Sequence, residues 1–413
     1  MNKSFLIILF CICLFIYAGY LNNGFVFDDK ILVERNPLIK SARLLPNVFR
    51  TGIYDYWTGL QPYDRMYRPL QMLSYYLDYN LWGLNPAGFR FSNILLHLFN
   101  SILVFYLIIL IFNRKLLAAL SSILFLVHPV HISTVAYISA RGDLLSTFFI
   151  LACCILFFKF MNSNSYIFYF LSIFASALAF LSRENALLII IFLMLIISVS
   201  AKARAKLKYL GGFFVLAAVY LGLRVIIFGP SGLAAHPQYI RWPLSLINFL
   251  NLSWRYILLL LWPVNLRMFH STALISQLSL PVLFLSISGL MLLLAVILKW
   301  QKIKQASVVL SFGLFWFLLG IMPVYFYFDA YPDLGRALMA ESWLYLSSIG
   351  FCLVFAHLCL LNKKGKLIIF VGVTILGGLV VFNRSYWRND VVFYERALQF
   401  LPEDNIIQKN LAT

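Results

Sequence analysis

The chain has 413 residues, of which 62% are hydrophobic and only 12% charged. A soluble domain carries about a quarter charged residues, so these proportions exclude a soluble globular protein and describe a polytopic membrane protein. The formal net charge of +18 would suggest nucleic acid in a soluble chain. Here the basic residues punctuate apolar runs, which makes them orientation and lipid-headgroup signals and argues against a nucleic-acid partner.

The first apolar run, residues 5–21, is long enough to cross a bilayer. Lys3 precedes it as in a signal peptide, but no small-x-small cleavage site follows, so it reads as an uncleaved first helix. Directly after it comes Gly24-Phe-Val-Phe-Asp28-Asp29. Two adjacent carboxylates at a membrane surface must be solvated, paired or used, and the plain alternative is a polar stop that ends the helix. They open a long loop, residues 22–90, with Tyr54, Trp57, Tyr63, Tyr67 and Arg68. Those aromatic residues suit an interfacial belt or a stacking surface for a sugar or headgroup. Leu70, Leu73, Leu77 and Leu81 recur at helical spacing with Gln71, Ser74 and Asp78 between them, which predicts an amphipathic helix lying in the interface.

Further apolar runs cover 91–112, 116–127, 144–158, 166–181, 186–200, 209–228, 246–266, 280–298, 308–328, 343–361 and 367–382. With the N-terminus inside, Arg114-Lys115, Lys159 and the basic stretch 202–208 are inner connections. Counting 246–266 as a crossing would put Lys299–Lys304 and Lys363–Lys366 outside, against the positive-inside rule. Its Arg255 and Trp262-Pro263 instead suit a re-entrant or interfacial segment. The expectation is therefore an all-α polytopic bundle of about 11 transmembrane helices, N-terminus in and C-terminus out. In that topology every Asp and Glu falls on the outer face or at the outer ends of helices.

Several outer motifs carry chemistry. His128-Pro129-Val130-His131 holds two histidines three apart, but Pro129 interrupts the turn that would let them share a metal, and hydrogen-bonded interfacial histidines are the commoner case. Asp143 has a ready role as a helix N-cap, whereas Arg141 has no such structural role and suits an anionic phosphate. Ser182-Arg183-Glu184-Asn185 breaks a stretch too long for one crossing and marks a tight outer turn, either functional or a self-neutralising pair. Arg224, Arg241, Arg255 and Arg267 add cations to this face, as snorkelling side chains or as ligands. Glu341 and Tyr345 stand four apart and would share a helix face. The six cysteines lie inside apolar runs as small packing residues, with no metal or disulfide pattern.

Seven stretches in order carry a resemblance: Phe25-Val-Phe-Asp28-Asp29, Tyr67-Arg68-Pro69-Leu70, Leu81-Trp-Gly-Leu-Asn85-Pro86-Ala-Gly-Phe89, Asn93-Ile-Leu-Leu-His97, Phe125-Leu-Val-His128-Pro129-Val-His131, Ala140-Arg141-Gly142-Asp143 and Ala340-Glu341-Ser-Trp-Leu-Tyr345. The chain resembles the transmembrane and tetratricopeptide-repeat-containing O-mannosyltransferase-type members of the GT-C glycosyltransferases. The resemblance implies a GT-C-type bundle over residues 1–382. It implies inverting transfer of a sugar, often mannose, from a polyprenyl-phosphate donor to a protein hydroxyl on the outer face, with no metal or other cofactor. It implies that the Asp28–Asp29 pair holds the base without fixing which; Asp29, farther from the membrane in the chain, is the leading choice on that ground. Arg141 and Arg183, with His128 and His131, are expected near the donor phosphate. Arg68, Asp143, Glu184, Glu341 and Tyr345 are expected to position substrate. The Arg-Glu at 183–184 departs from the Lys-Glu more usual in the family.

Residues 383–413 look like a truncated tetratricopeptide repeat, too short for a repeat array to bury its faces. A glycolipid or a partner protein could then supply the acceptor. The alternatives are a transporter or flippase for a lipid-linked sugar, which would want mid-membrane charge and paired broken helices, and a non-catalytic membrane scaffold. The expected setting is a bacterial inner membrane with the site facing the periplasm or exterior.

Overall fold

Away from water only a helix satisfies its own backbone, so the apolar runs fold as helices. A computed structural model describes residues 3–55, 66–199, 206–230, 244–273, 275, 306–324, 336–400 and 405–412. In chain order the elements are α1 (Lys3–Tyr17), α2 (Pro69–Trp82), α3 (Pro86–Phe112), α4 (Lys115–Val127), α5 (Ile132–Ala136), α6 (Arg141–Ser163), α7 (Tyr166–Phe180), α8 (Ile189–Ser198) and α9 (Leu210–Phe228). They continue with α10 (Leu244–Leu261), β1 (Phe269–Ala273), α11 (Ala306–Ile321), β2 (Arg336–Ala340), α12 (Ser348–Leu360), α13 (Gly365–Phe382), α14 (Asp390–Phe400) and α15 (Asn405–Ala412).

Among the described residues six helical stretches are long and apolar enough to cross a membrane by length and composition, and α4 with residues Pro129–Ala136 makes a seventh, bent by 51°. Four shorter apolar helices accompany them, Tyr166–Phe180, Glu184–Ser198, Val308–Ile321 and Ser348–Leu360. The chain is an all-α multi-pass membrane protein. The expected eleven crossings draw on these shorter helices, and the run 280–298 lies outside the described residues, as do the basic stretch 299–304, Arg241 and loop residues 56–65.

α3 lies at the centre against α4 and α6, while α12 packs on α11 and α4. The α11–α12 crossing depends on missing side chains. A Cβ on Gly350 would stand 2.2 Å from the Gly313 carbonyl oxygen, so these backbones meet only because both residues are glycine. At one end of the bundle Lys206 bonds Asn164 Oδ1 and lies 4.6 Å from the Phe160 ring centroid, joining two basic connections. At the other end gather Asp28, Asp29, Asp78, Asp143, Glu184, Glu341 and Asp390, each hydrogen-bonded or ion-paired to a neighbouring connection or helix end.

Two segments refine the sequence reading. α2 forms where the leucine spacing predicts it, but its faces follow lipid rather than water. Gln71, Met72, Tyr75 and Asp78 are buried, whereas Leu77 is 61% exposed and Leu81 71%. An interfacial helix turns its apolar stripe to lipid and its polar stripe to the protein. α10, in the stretch read as non-crossing, is one unbroken helix up to Trp262-Pro263 rather than an irregular segment. Asn248 exchanges hydrogen bonds with Ile275 (2.9 and 3.0 Å), and the Tyr256 hydroxyl donates to Ala340 O (3.2 Å). The antiparallel β1–β2 ribbon, Phe269 opposite Ala340 and Ala273 opposite Arg336, therefore runs back along α10 from its outer end. A two-stranded ribbon leaves backbone groups that hydrocarbon cannot satisfy. Length alone permits α10 to cross; the ribbon argues that it lies at the surface.

In a cysteine-free background, single cysteines at the exposed positions Leu246 and Trp262 should both react with an impermeant thiol reagent added from outside, and one at Lys364 should not. Protection of Leu246→Cys with labelling of Trp262→Cys would show that α10 crosses.

Candidate active site

The acid pair divides into two environments. Asp29 is fully buried, 0% exposed. Its Oδ1 accepts from Ser139 N (2.8 Å) and Ser139 Oγ (2.7 Å), and its Oδ2 from Val26 N (3.4 Å). The Arg90 guanidinium stands 4.0 Å away. Burial pushes the Asp29 carboxyl up to about 6, against the pull of Arg90 and Ser139. Asp28 is half-buried and accepts from the Tyr54 hydroxyl at 2.9 Å. Burial, and then the charge of Asp28, holds the neighbouring Tyr137 phenol protonated. The expectation that Asp29 is the base meets a sealed carboxylate whose acceptor positions are filled from its own protein. Asp28 is the less buried member, and it too is hydrogen-bonded, to Tyr54 and to Tyr137.

Beneath the pair is a residue that the sequence reading named only as the end of the loop. Arg90 donates from Nε to Ala136 O (2.8 Å) and from its two terminal nitrogens to Asn23 O and Gly24 O. It begins a polar stripe on α3, Arg90, Asn93, His97 and Asn100, all fully buried. The spacing of three, four and three on an otherwise apolar helix was the available signal for an inward-facing seam.

Arg141 has the structural role that its sequence context did not suggest. It is 1% exposed. Nε donates to Asn93 Oδ1 (2.8 Å), one terminal nitrogen to Phe89 O (2.7 Å) and the other to Ser74 (3.3 Å), and Asp78 Oδ2 lies 2.6 Å from the guanidinium. Tyr75 covers it, with the ring centroid 4.7 Å from Cζ. These bonds tie α2 and α3 to the start of α6 and leave the fork no side open to a phosphate.

The outer turn at residues 182–185 forms without Gly or Pro, through an extended Arg183 and a 3₁₀ turn over Glu184–Leu188. Arg183 pairs with the buried Asp143 of α6. Glu184 pairs with Arg68 Nε (3.0 Å) and with Arg224 (3.4 Å) and accepts from Tyr67 N (3.1 Å). Arg68, Arg183, Asp143 and Glu184 are thus brought together as sequence suggested, but as mutually paired groups that fix the α2, α7 and α9 ends.

The remaining candidates separate. His128 is buried with Nε2 3.0 Å from Leu260 O and Nδ1 accepting from Val130 N, while His131 has Nδ1 2.7 Å from Phe125 O and Nε2 2.8 Å from Ser348 Oγ. Both rings are occupied in holding the bend after α4, away from any phosphate-binding posture. Glu341 and Tyr345 do not share a face, because residues Glu341–Leu344 form a 3₁₀ turn instead of an α-helix. Tyr345 reaches His97 Nδ1 (2.8 Å) and Asn100 Nδ2 (3.1 Å) inside the bundle. Glu341, whose carboxyl burial pushes upward, accepts from Arg267 N (2.6 Å) and faces His270 Nε2 (2.9 Å).

Beside Glu341 opens a cavity of about 560 Å³ between the end of α10 and β1. Arg255, Arg267 and His270 line it together with Leu258, Trp262 and Met339. Among the described residues neither Arg255 nor Arg267 makes an ion pair, in contrast to Arg68, Arg141, Arg183 and Arg224. The aromatic chain Phe27–Phe393–Tyr386, with centroids 6.0 and 5.3 Å apart, leads from the acid pair to Met268 N, which donates to the Tyr386 hydroxyl (3.1 Å). No group of three His, Cys, Asp or Glu that could hold a metal ion occurs among the described residues.

Two outcomes follow. Arg141→Ala leaves Asp78 buried without its partner and should cost about 3 kcal/mol or more of stability, read as an early thermal transition in detergent, with Arg141→Lys restoring little because a point charge cannot reach four acceptors. A variant with wild-type stability and selectively lost turnover would restore Arg141 to the chemistry. For Asp29, the folded carboxyl titrates near 6 and the unfolded one near 3.8. Its contribution is therefore fully present below about pH 4 and lost as pH rises through about 6, a difference of about 3 kcal/mol. Asp29→Asn should remove that part of the pH dependence, seen as a wild-type minus variant difference in thermal midpoint that changes between pH 4 and 7.

Residues 72–222 match the dolichyl-phosphate-mannose-protein mannosyltransferase family. Over 98% of its length the chain is 28% identical to protein O-mannosyl-transferase F38B6.6 of Caenorhabditis elegans, covering 59% of that protein. It is 24% identical over 97% of its length to human protein O-mannosyl-transferase TMTC1, covering 51% of it. It is 31% identical to Drosophila melanogaster Tmtc1 over 42% of the chain and 20% of that protein. The chain thus spans between a half and three-fifths of the relatives that it matches from end to end. No solved structure matches it. Along nearly its whole length the chain is similar to the protein O-mannosyl-transferases, and residues 72–222 match the mannosyltransferase family.

Proposed function

We propose that the chain is a membrane mannosyltransferase that moves mannose from a polyprenyl-phosphate donor to a hydroxyl, on a protein Ser or Thr, with inversion. The division of the acid pair carries the reading: Asp29 is sealed and braced while Asp28 remains half-buried at the mouth beside Tyr54. In the proposed step Asp28 takes the acceptor hydroxyl proton, the acceptor oxygen bonds to the anomeric carbon from the face opposite the phosphate, and the carbon–oxygen bond to phosphate breaks with its electron pair leaving on phosphate.

That departing charge needs cations that are not already neutralised. Arg255, and Arg267 with only the more distant influence of Glu341, fit this better than the ion-paired Arg141 or Arg183, and Leu258 and Trp262 of the same cavity offer apolar surface for the lipid chain. The Arg68–Glu184–Arg224 and Arg183–Asp143 pairs then act as the frame of the mouth. The named relatives come from worm, fly and human, and give no support to a bacterial inner membrane. We retain the extracytoplasmic side as the proposed face because the site carboxylates gather at the end of the bundle opposite the basic connection at Lys206, and basic connections favour the inner side.

Purified protein supplied with polyprenyl-phosphate mannose and a Ser/Thr peptide should release polyprenyl phosphate and mannosylate the peptide. Asp28→Asn should abolish transfer while sparing donor binding, since an amide keeps size and polarity but takes no proton. Arg267→Ala should raise the donor KM and lower turnover, on the scale of about a hundredfold in kcat/KM for one lost electrostatic donor. Lipid translocation by a wild-type protein that transfers no sugar would favour a flippase.

A further inference from the structure

Phe27 stands directly before the acid pair with φ of +50°. Side chains other than Asn, Asp or Gly rarely adopt this left-handed conformation, and the other described non-glycine residues that do so here are Asn113, Asn164 and Asn265. A phenylalanine at such a position must be held there from outside.

The restraint comes from the C-terminal segment. Asp390 Oδ1 accepts from Phe27 N at 2.9 Å, and Asp390 Oδ2 pairs with Lys30 Nζ. One carboxylate therefore grips both residues that flank Asp28 and Asp29. The Phe27 ring stacks on Phe393 at 6.0 Å and meets Tyr394 edge-on at 6.4 Å. Gly24 N donates to Arg388 O (2.8 Å), and Asn23 Nδ2 to Arg384 O (3.2 Å). Asp390 is not needed as the cap of its own helix, because Asn389 Oδ1 accepts from Val392 N at 3.0 Å and performs that task.

We propose that Asp390 is a positioning residue, which fixes Asp28 towards the acceptor by pinning Phe27 and Lys30, so that residues 383–400 are a wall of the active site as well as a helical appendix. The proposal rests on Asp28 being the base. A misplaced base loses rate without losing donor affinity, so the signature is a fall in kcat at constant donor KM.

The test uses the full chain in lipid nanodiscs, with two measurements: hydrogen exchange over residues 24–31, and transfer kinetics with polyprenyl-phosphate mannose and a Ser/Thr peptide. Asp390→Ala should raise exchange in this segment and lower kcat by about tenfold to a hundredfold with donor KM unchanged. Asp390→Asn keeps an acceptor for Phe27 N and should restore most of the rate. Asp390→Glu serves where Asp390→Ala does not fold: it keeps the charge but moves the anchor by one methylene, and should lower kcat alone. Wild-type exchange in Asp390→Ala, or wild-type kcat in both Asp390→Ala and Asp390→Glu, would overturn the proposal. If the wild-type protein transfers no sugar while Asp390→Ala still loosens residues 24–31, the pinning stands and the assigned activity falls.

Discussion

The carboxylate-bearing face depends on a single guanidinium placed where none could stand alone. Arg90 is fully buried, and it is tolerable there only because three carbonyl oxygens, those of Asn23, Gly24 and Ala136, converge on it, with Asp29 4.0 Å away. Those carbonyls belong to the chain just after α1 and to the end of α5, so one side chain on α3 sets the position of both. The acid pair sits where it does because its flanking backbone is bonded to Arg90 on one side and to the C-terminal segment on the other.

The same requirement sorts the remaining cations. A charge within a membrane bundle must find a partner, and most arginines of this face have found one in Asp78, Asp143 or Glu184. Each such pair is committed to architecture. Arg255 and Arg267 differ: they line a cavity together with Leu258, Trp262 and Met339 and make no ion pair among the described residues, although the charge of Glu341 acts on Arg267. Electrostatic capacity for an anionic ligand is therefore concentrated away from the residues whose sequence context looked most suggestive.

Much of the fold was legible in the sequence, and the reasons for the rest are physical. Apolar runs are local and compositional properties, and they carried over into the structure as helices. Arg141 was opaque because its partners, Asp78, Phe89 and Asn93, come from two other helices, and only tertiary proximity turns a candidate phosphate ligand into a brace. The roles of Asp28 and Asp29 could not be separated because adjacency gives no information on which side chain Ser139 will meet. The helix-face pairing of Glu341 with Tyr345 failed through a local detail, a 3₁₀ turn in place of an α-turn.

The outward leucines of α2 have a consequence for the lipid itself. With Leu77 and Leu81 exposed, and with Asp78 bonded to Arg141 and Leu70 N to Leu181 O (3.0 Å), α2 behaves as a float moored to α6 and α7. Its depth is set by where the hydrocarbon boundary lies, while the helices that hold it are set by the span of the whole bundle. A thicker or thinner bilayer changes one without the other, and the mismatch is taken up at the mooring points next to Arg68 and Glu184.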